Sequence, residues 1–253
     1  MTDRMEVEEY LAQGGVFSSP ENAPARYRAE LMRMMFVFVD SEMAASAGFA
    51  SSINFAPDIK VRIAASRITL EKAEHALRVL KILSEFGTNI DRYEQHYDWA
   101  KRLARDTGLI KERQGGDMRL SVFQYPLVNW VDSLVMSVLQ GLAADVQLEE
   151  LGKISYDPLA VVFREIAQRE RSHTVSAQQG LAQQVKTGQQ KQQIQESLDY
   201  WYPRVKAGFG QQNEARYDML CKMGLRHESN ASQLQRWEAL VKNCLQTLGL
   251  SGQ

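Results

Sequence analysis

Residues 157–173 read DPLAVVFREIAQRERSH, and this stretch predicts the first half of a long helix with two polar groups on its apolar face. Asp157 followed by Pro158 is a start signal, because aspartate caps the free N–H groups of a first turn and proline is favoured at the first helical position. The apolar face continues into Glu170 and His173, which lie one turn apart on the same side of the helix. That face is formed by Leu159, Val162, Phe163 and Ile166.

The rest of the chain has the same spacing of apolar residues by three and four, and only six prolines and sixteen glycines interrupt 253 residues. This pattern predicts an all-α protein. We expect an irregular N-terminal segment, 1–24, followed by a single helical domain, 25–250, with 108–126 as its longest loop and 183–195 as a hinge between two helices. The predicted helices cover 25–48, 57–86, 89–106, 127–152, 158–186, 189–208, 211–223 and 230–247.

Composition narrows the class of protein. A formal net charge of -1 gives no reason to expect nucleic acid or a membrane surface as partner. Cys221 and Cys244 lack the spacing of a metal site, which favours a reducing compartment. No apolar run approaches the roughly 18 residues of a membrane span, and the acidic N-terminus is unlike a signal peptide. We therefore expect a cytoplasmic protein.

Ionisable residues interrupt the apolar stripes of four long predicted helices. Glu42 fills a gap in the first stripe, Lys72 and His75 fill two gaps in the second, and Asp145 shares the face of the fourth helix. Burying an isolated charge costs several kcal/mol, so these groups must pair with one another or bind a metal. The stripes themselves are Leu31, Met35, Phe38, Ala45 and Phe49; Ala64, Ile68, Val79 and Ile82; and Leu134, Val138, Gly141 and Leu148.

Carboxylates and imidazoles on facing helices suit a site for iron or manganese, in which each Glu-x-x-His helix gives one oxygen and one nitrogen ligand. Glu170 and His173 form one such pair, whereas the corresponding position three residues before His75 is Lys72. A single Glu-x-x-His is a weak signal, but ionisable groups on four stripes are a stronger one. The pattern predicts a ferritin-like four-helix bundle core with additional C-terminal helices.

Several motifs resemble the A and C subunits of bacterial phenylacetyl-CoA ring epoxidases, over about residues 25–225. The resemblance implies a diiron centre in A-type subunits that activates dioxygen and epoxidises the ring of a CoA thioester. It implies a related fold without a working centre, acting as a structural partner, in C-type subunits. The matching segments are Ala25-Arg-Tyr-Arg28, Ser41-Glu42, the helix ending at His75, Phe123-Gln-Tyr-Pro126, Asn129-Trp-Val-Asp132, Ser155-Tyr-Asp-Pro158, Glu170-x-x-His173 and Trp201-Tyr-Pro203.

Carried over by this resemblance, the metal ligands are Glu42, His75, Glu170 and His173. Two positions depart from the family pattern, because Lys72 replaces a ligand glutamate and Gly141 replaces a ligand aspartate. Four carboxylates balance two ferrous ions, whereas two carboxylates and a protonated lysine carry a net charge of only about -1. We expect no iron or one iron rather than two, with Lys72 bridging the carboxylates of Glu42 and Glu170.

Three functions remain open at this level. The first is a structural or substrate-handling subunit in aerobic catabolism of phenylacetyl-CoA or a similar aromatic acyl-CoA, with a degenerate diiron site. The second is an active iron-dependent oxygenase in which Glu71 or Asp145 replaces a missing ligand. The third is a ferritin-like scaffold without a role in CoA chemistry. Lys111, Arg113 and Arg119 are candidate contacts for CoA phosphates, and we expect a homodimer or a heterodimer with a related subunit.

Overall fold

A computed structural model describes residues 7–95, 97–110, 116–185, 188–211 and 213–250. These ranges contain nine α-helices, four of them long, joined by short turns and by a long connection between α4 and α5, which we call the extended loop and of which residues 97–110 and 116–129 are described. The helices are α1 (Val7–Ala12), α2 (Ala25–Ser52), α3 (Ile59–Glu85), α4 (Ile90–Glu94), α5 (Trp130–Leu151), α6 (Asp157–Gln184), α7 (Gly188–Lys206), α8 (Glu214–Lys222) and α9 (Asn230–Thr247).

The four long helices form a ferritin-like bundle, as predicted. Helix α2 packs along α3, α5 packs along α6, and α3 faces α6 across the bundle. The additional helices α7 and α9 pack against α5. Side-chain caps fix where two bundle helices begin, since Asp58 accepts a hydrogen bond from Val61 N at 2.9 Å and Asn129 accepts one from Asp132 N at 2.8 Å. In the described ranges, no helix has both the length and the apolar character needed to cross a bilayer.

Seven of the eight predicted helices appear within a few residues of their expected bounds, and the eighth is wrong. The helix expected over 89–106 ends at Glu94, and the described residues 97–106 are not helical. Arg119 explains the difference, because its buried guanidinium donates hydrogen bonds to backbone carbonyl oxygens in this segment. These are the carbonyls of Asp98, Trp99 and Lys101, at 2.8, 3.2 and 3.3 Å, which a helix would have used internally.

Within the predicted irregular stretch 1–24, the described residues 7–24 contain some regular structure. Residues 7–12 form α1, and Pro20–Asn22 form a single 3₁₀ turn. Phe17 pairs its backbone with the connection between α5 and α6, donating to Ser155 O and accepting from Asp157 N, both at 2.9 Å. This pairing holds the segment against the end of the bundle.

One buried carboxylate ties the extended loop, α5 and α7 together. Asp132 is fully buried and accepts hydrogen bonds from both terminal nitrogens of Arg105 at 2.6 and 2.9 Å. It also accepts from the indole N–H of Trp201 at 2.7 Å and the hydroxyl of Ser197 at 3.3 Å. The charge is therefore compensated by a bidentate arginine and by donors from α7.

Replacing Asp132 by alanine should lower the free energy of unfolding by about 3–5 kcal/mol, because the Arg105 charge and the Trp201 N–H lose their acceptor. Urea unfolding followed by circular dichroism measures the change. Asp218→Ala, at an exposed aspartate of α8, is the matched control and should shift stability by about 0.5 kcal/mol or less. Equal stability of the two variants would contradict this role of Asp132.

Candidate functional site

Four ionisable side chains meet in the interior of the bundle, and we call them the buried cluster. They are Glu42 of α2, Lys72 and His75 of α3, and Glu170 of α6, each less than a tenth exposed. Glu42, His75 and Glu170 each offer a ligand atom, and these atoms lie within 4.8 Å of one another. The apolar stripes predicted that these groups point inward, and the helices bring them together.

The Lys72 ammonium lies between two carboxylates. Its Nζ donates hydrogen bonds to Glu170 Oε2 at 2.7 Å and to Glu42 Oε1 at 3.1 Å. Burial by itself would lower the pKa of Lys72, but the charges of Glu170 and Glu42 outweigh burial and hold this pKa above its usual value. Lys72 is therefore positively charged at neutral pH and links α3 to both α2 and α6.

His75 contacts the second oxygen of each of the same carboxylates. Its Nδ1 lies 3.1 Å from Glu42 Oε2 and 3.1 Å from Glu170 Oε1. Burial opposes protonation of His75, yet hydrogen bonding to Glu170 and Glu42 raises its pKa above the ordinary value. Burial likewise opposes ionisation of Glu170, but the charge of Lys72 and the two nearby histidines hold its pKa well below the usual range. With His75 protonated, the two cations balance the two carboxylates.

His173 lies at the rim of the cluster. Its Nδ1 is 3.4 Å from Glu170 Oε1, whereas its Nε2 makes a very short hydrogen bond with Glu71 of α3. Arg169 donates a second hydrogen bond to Glu71 at 3.2 Å. Burial would raise the pKa of Glu71, but His173 and Arg169 hold it below the usual value. The structure thus directs the second nitrogen of His173 to Glu71, away from Glu42 and Lys72.

Asp145, the other candidate replacement ligand, does not join the buried cluster. Its Oδ1 is buried without a hydrogen-bond partner among the described residues. Burial raises the pKa of Asp145 to about 6, the charge of Glu170 adds to that rise, and Arg171 opposes it. The charge of Glu170 therefore acts on Asp145, but Asp145 is not among the residues whose atoms could bind one metal ion together.

Thr174 fills the space beside Gly141, where the family resemblance implies an aspartate. A Cβ atom at position 141 would lie 2.5 Å from Thr174 Oγ1, closer than such atoms pack. Thr174 is itself buried and fixed, because its hydroxyl donates to the Glu170 carbonyl oxygen at 3.0 Å. Helices α5 and α6 consequently approach each other closely at this level, and position 141 of α5 has no room for a longer side chain.

A cleft of about 950 Å³ reaches the buried cluster and is lined by residues of α2, α3, α5 and α6. Glu42, Lys72 and Glu170 form part of its wall. Sequence reasoning missed three arginines that also line it, because they come from distant positions in the chain: Arg33, Arg216 and Arg226. Its apolar wall includes Phe38, Ile68, Leu134, Met136, Leu148 and Ala177.

Asp40 anchors the extended loop next to Glu42. It is fully buried and accepts hydrogen bonds from Met118 N at 2.6 Å, from Trp99 Nε1 at 3.4 Å and from the Tyr93 hydroxyl at very short range. Burial raises the pKa of Asp40, while these donors act against the rise. The signal in the sequence is a lone aspartate inside an apolar helical run, and sequence alone does not identify its partners.

Among the loop residues predicted to meet CoA phosphates, Lys111 and Arg113 lie outside the described residues. Arg119 is buried, and its Nε donates to Asp117 Oδ2 at 2.6 Å in addition to its bonds with the backbone. These contacts give Arg119 a structural role in the loop. Its role in phosphate binding stays a prediction.

Replacing Lys72 by methionine should destabilise the protein by about 3–5 kcal/mol near pH 7, because two buried carboxylates would lose their lysine. In the wild type, the lowered pKa of Glu170 contributes stability above the unfolded-state pKa, and this contribution is lost as pH falls through the folded-state pKa. In Lys72→Met, burial without lysine should instead raise the pKa of the carboxylates. The difference in the free energy of unfolding between the wild type and Lys72→Met should therefore become smaller as pH falls from about 7 to about 5.

Urea unfolding across this pH range measures the effect, with Lys242→Met, at an exposed lysine of α9, as the matched control. The control should show little loss and no narrowing. A constant difference between Lys72→Met and wild type at all pH values would show that the lysine acts through packing alone.

The sequence of this chain is similar to one known enzyme subunit and to one protein family. The chain is 25% identical over 209 residues to the A subunit of the 1,2-phenylacetyl-CoA epoxidase of Escherichia coli (strain K12). The aligned region covers 81% of this chain and 62% of that relative, so the chain spans less than two thirds of the relative's length. The family described as phenylacetic acid catabolic protein matches residues 5–252, nearly the whole chain. By its sequence, the chain belongs to the phenylacetic acid catabolic protein family.

Proposed function

We propose that this protein is a cytoplasmic subunit in aerobic phenylacetyl-CoA, or similar aromatic acyl-CoA, catabolism that handles substrate or supports a related ferritin-like partner. In this proposal the position of a diiron centre is held by the Lys72 ammonium. The observation that carries it is the pair of hydrogen bonds, 2.7 and 3.1 Å long, from Lys72 Nζ to Glu170 and Glu42.

The charge of the buried cluster supports this proposal. Two ferrous ions bring four positive charges, whereas Glu42 and Glu170 supply two negative ones and Lys72 already offsets one of them. All four oxygens of these carboxylates lie within 3.1 Å of a nitrogen of Lys72 or His75. Metal binding would require a charged lysine to leave its partners, so the residues present do not fit a pair of irons.

The surrounding residues support the same conclusion. The position of the family aspartate is Gly141, and Thr174 occupies the adjacent space. His173 Nε2 forms a hydrogen bond with Glu71. This contact occupies the second histidine that the family resemblance implies as a ligand, and also a carboxylate that could have replaced a missing ligand. A second metal would therefore need ligands that are absent from the cluster or engaged at its rim.

The cleft supports a substrate-handling role. Its volume of about 950 Å³ is within the range of small-molecule sites, and its apolar wall suits an aromatic acyl group. Arg33 and Arg226 add positive charge along it, which suits the phosphates of a CoA thioester, whereas Arg216 is paired with Glu30 at 2.5 Å. Under this proposal the protein holds or delivers an acyl-CoA without oxidising it.

An iron-dependent oxygenase is the second candidate, and one observation favours it. Glu42, His75 and Glu170 keep a carboxylate and imidazole donor set within 4.8 Å, and the cleft reaches it. If Lys72 turned away, these three residues would hold one metal ion, which would supply Lewis-acid and redox chemistry. The role of His75 would then change from hydrogen-bond partner to nitrogen ligand.

Metal content after production in iron-supplemented medium tests the proposal. Wild-type protein should contain far less than one iron per chain. Lys72→Glu should bind up to one, because it removes the ammonium and adds a carboxylate while Gly141 still offers no ligand. Elemental analysis gives the stoichiometry, and the rise in melting temperature on adding iron or manganese gives a second readout.

Lys72→Gln is the matched control for this experiment, since it removes the charge without adding a carboxylate. It should bind less metal than Lys72→Glu. Two irons per wild-type chain, with an absorption band that responds to dioxygen, would overturn the lysine-held site. One stoichiometric iron in the wild type would favour the second candidate.

Acyl-CoA binding is tested by thermal stabilisation. Phenylacetyl-CoA should raise the melting temperature of the wild type in a concentration-dependent way, because it binds the folded state alone. Ala64→Trp, which adds a large side chain to the cleft wall, should reduce this rise. Ala239→Trp, at an exposed alanine of α9, should leave it unchanged. No stabilisation by phenylacetyl-CoA or benzoyl-CoA at millimolar concentration would favour a scaffold without CoA chemistry.

A further inference from the structure

The outer side of α3 carries an apolar stripe exposed to solvent. Ile59, Ile63, Leu70 and Leu77 are 73%, 57%, 59% and 42% exposed. Their spacing of four, seven and seven residues places them within about 40° of one another on a helix and along about 27 Å of its axis. Leu70 and Lys72 point to nearly opposite sides, because residues two apart on a helix are separated by about 200°. The stripe is thus a surface separate from the cleft and the buried cluster.

Two charged residues flank this stripe. Arg67 and Glu74 are exposed, and neither has an ion-pair or hydrogen-bond partner elsewhere in the described part of the chain. Other charged side chains of α3 on the side toward α6 are engaged within the bundle, for example Arg78 with Glu165 and Glu71 with Arg169. Arg67 and Glu74 therefore offer one positive and one negative charge beside an uncovered apolar surface.

The Arg67–Glu74 and Ile63–Leu77 pairs are each centred within half a residue of Leu70. Arg67 and Glu74 are equally distant from the midpoint between residues 70 and 71, and Ile63 and Leu77 are equally distant from Leu70. If two copies of α3 pack antiparallel with Leu70 at the centre, Arg67 of each copy lies within one residue, about 1.5 Å along the axis, of Glu74 of the other, and Ile59 faces Lys81. Ile63 of each copy then faces Leu77 of the other. A twofold interface requires this kind of self-complementarity, in which residue i meets j and j meets i.

We propose that the outer face of α3 is the interface between two copies of this chain, related by a twofold axis near Leu70. Burial of Ile63, Leu70 and Leu77 provides the main driving force, Ile59 packs on the aliphatic part of Lys81, and the two Arg67–Glu74 pairs fix the register. The proposal is separate from the lysine-held site, because no residue of the stripe touches the buried cluster. A monomeric protein would leave the proposed function standing, and an iron-loaded dimer would leave this interface standing.

Sedimentation velocity over a range of protein concentrations tests the interface. The wild type should have twice the mass of one chain. Leu70→Lys should convert it to a monomer, since it places two like charges at the twofold axis in place of two leucines. Val175→Lys, at an exposed valine of α6, is the matched control and should remain a dimer.

Charge reversal tests the register. Arg67→Glu alone and Glu74→Arg alone should each raise the dimer dissociation constant about tenfold or more, because each places like charges opposite one another twice. The double variant Arg67→Glu/Glu74→Arg should restore the wild-type value. Failure of the double variant to recover dimerisation would overturn the antiparallel register.

Cysteine substitution locates the axis without relying on loss of binding. Leu70→Cys should give a disulfide-linked dimer under mild oxidation, because residue 70 meets its own copy. Ile63→Cys should not, since two copies of residue 63 would be about 21 Å apart along the helices. Ile63→Cys/Leu77→Cys should cross-link again. The wild type, with Cys221 and Cys244, is the control for background cross-linking.

A wild-type protein that is monomeric at all concentrations would overturn the proposal. So would a dimer that survives Leu70→Lys, or one that cross-links equally through Ile63→Cys. A monomer that pairs through the same stripe with a different ferritin-like protein would also reject a second copy as the occupant.

Discussion

The charge balance between one buried lysine and two buried carboxylates is the constraint on which the centre of this protein depends. Lys72 Nζ lies within hydrogen-bond distance of Glu170 and Glu42, so one side chain of α3 joins three bundle helices. Any one of these charges would be strongly unfavourable alone in the interior, and together they neutralise most of one another. The helices must therefore converge at this level with the lysine in place.

Similar polar anchors position the rest of the molecule around the bundle. Asp40 holds the extended loop against α2, and Asp132 holds the same loop region and α7 against α5. Each carboxylate is fully buried and takes several donors from segments far away in sequence. Such networks specify which segment lies where, since a displaced segment would leave a buried charge without partners.

The family resemblance implies a metal site, whereas the buried cluster is proposed to be held together by a lysine. The geometry of the bundle is compatible with both. A ferritin-like bundle directs side chains from facing helices to a common interior point, whether they bind metal or one another. In this chain Glu42, His75 and Glu170 retain donor types expected of a metal site, while Lys72 contributes a cation of its own. The proposed loss of the metal pair leaves the fold and the cleft in place, because the lysine ties the same helices together.

The apolar periodicity of the sequence predicted eight helices, of which seven are confirmed. It succeeds because burial of one helix face imposes a local repeat of three and four residues. The same repeat identified Glu42, Lys72, His75 and Glu170 as inward-facing. It was wrong for residues 97–106, because Asp40 and Arg119 hold that segment in another conformation through contacts across the fold. The sequence by itself thus determined the helical class and the inward direction of the buried cluster.

Only the tertiary structure decided which of these groups touch, that His173 turns to Glu71, and that Thr174 fills the space beside Gly141. The physical reason is that periodicity is a property of each helix alone. Contacts between side chains depend on the crossing and separation of helices that lie far apart in the chain.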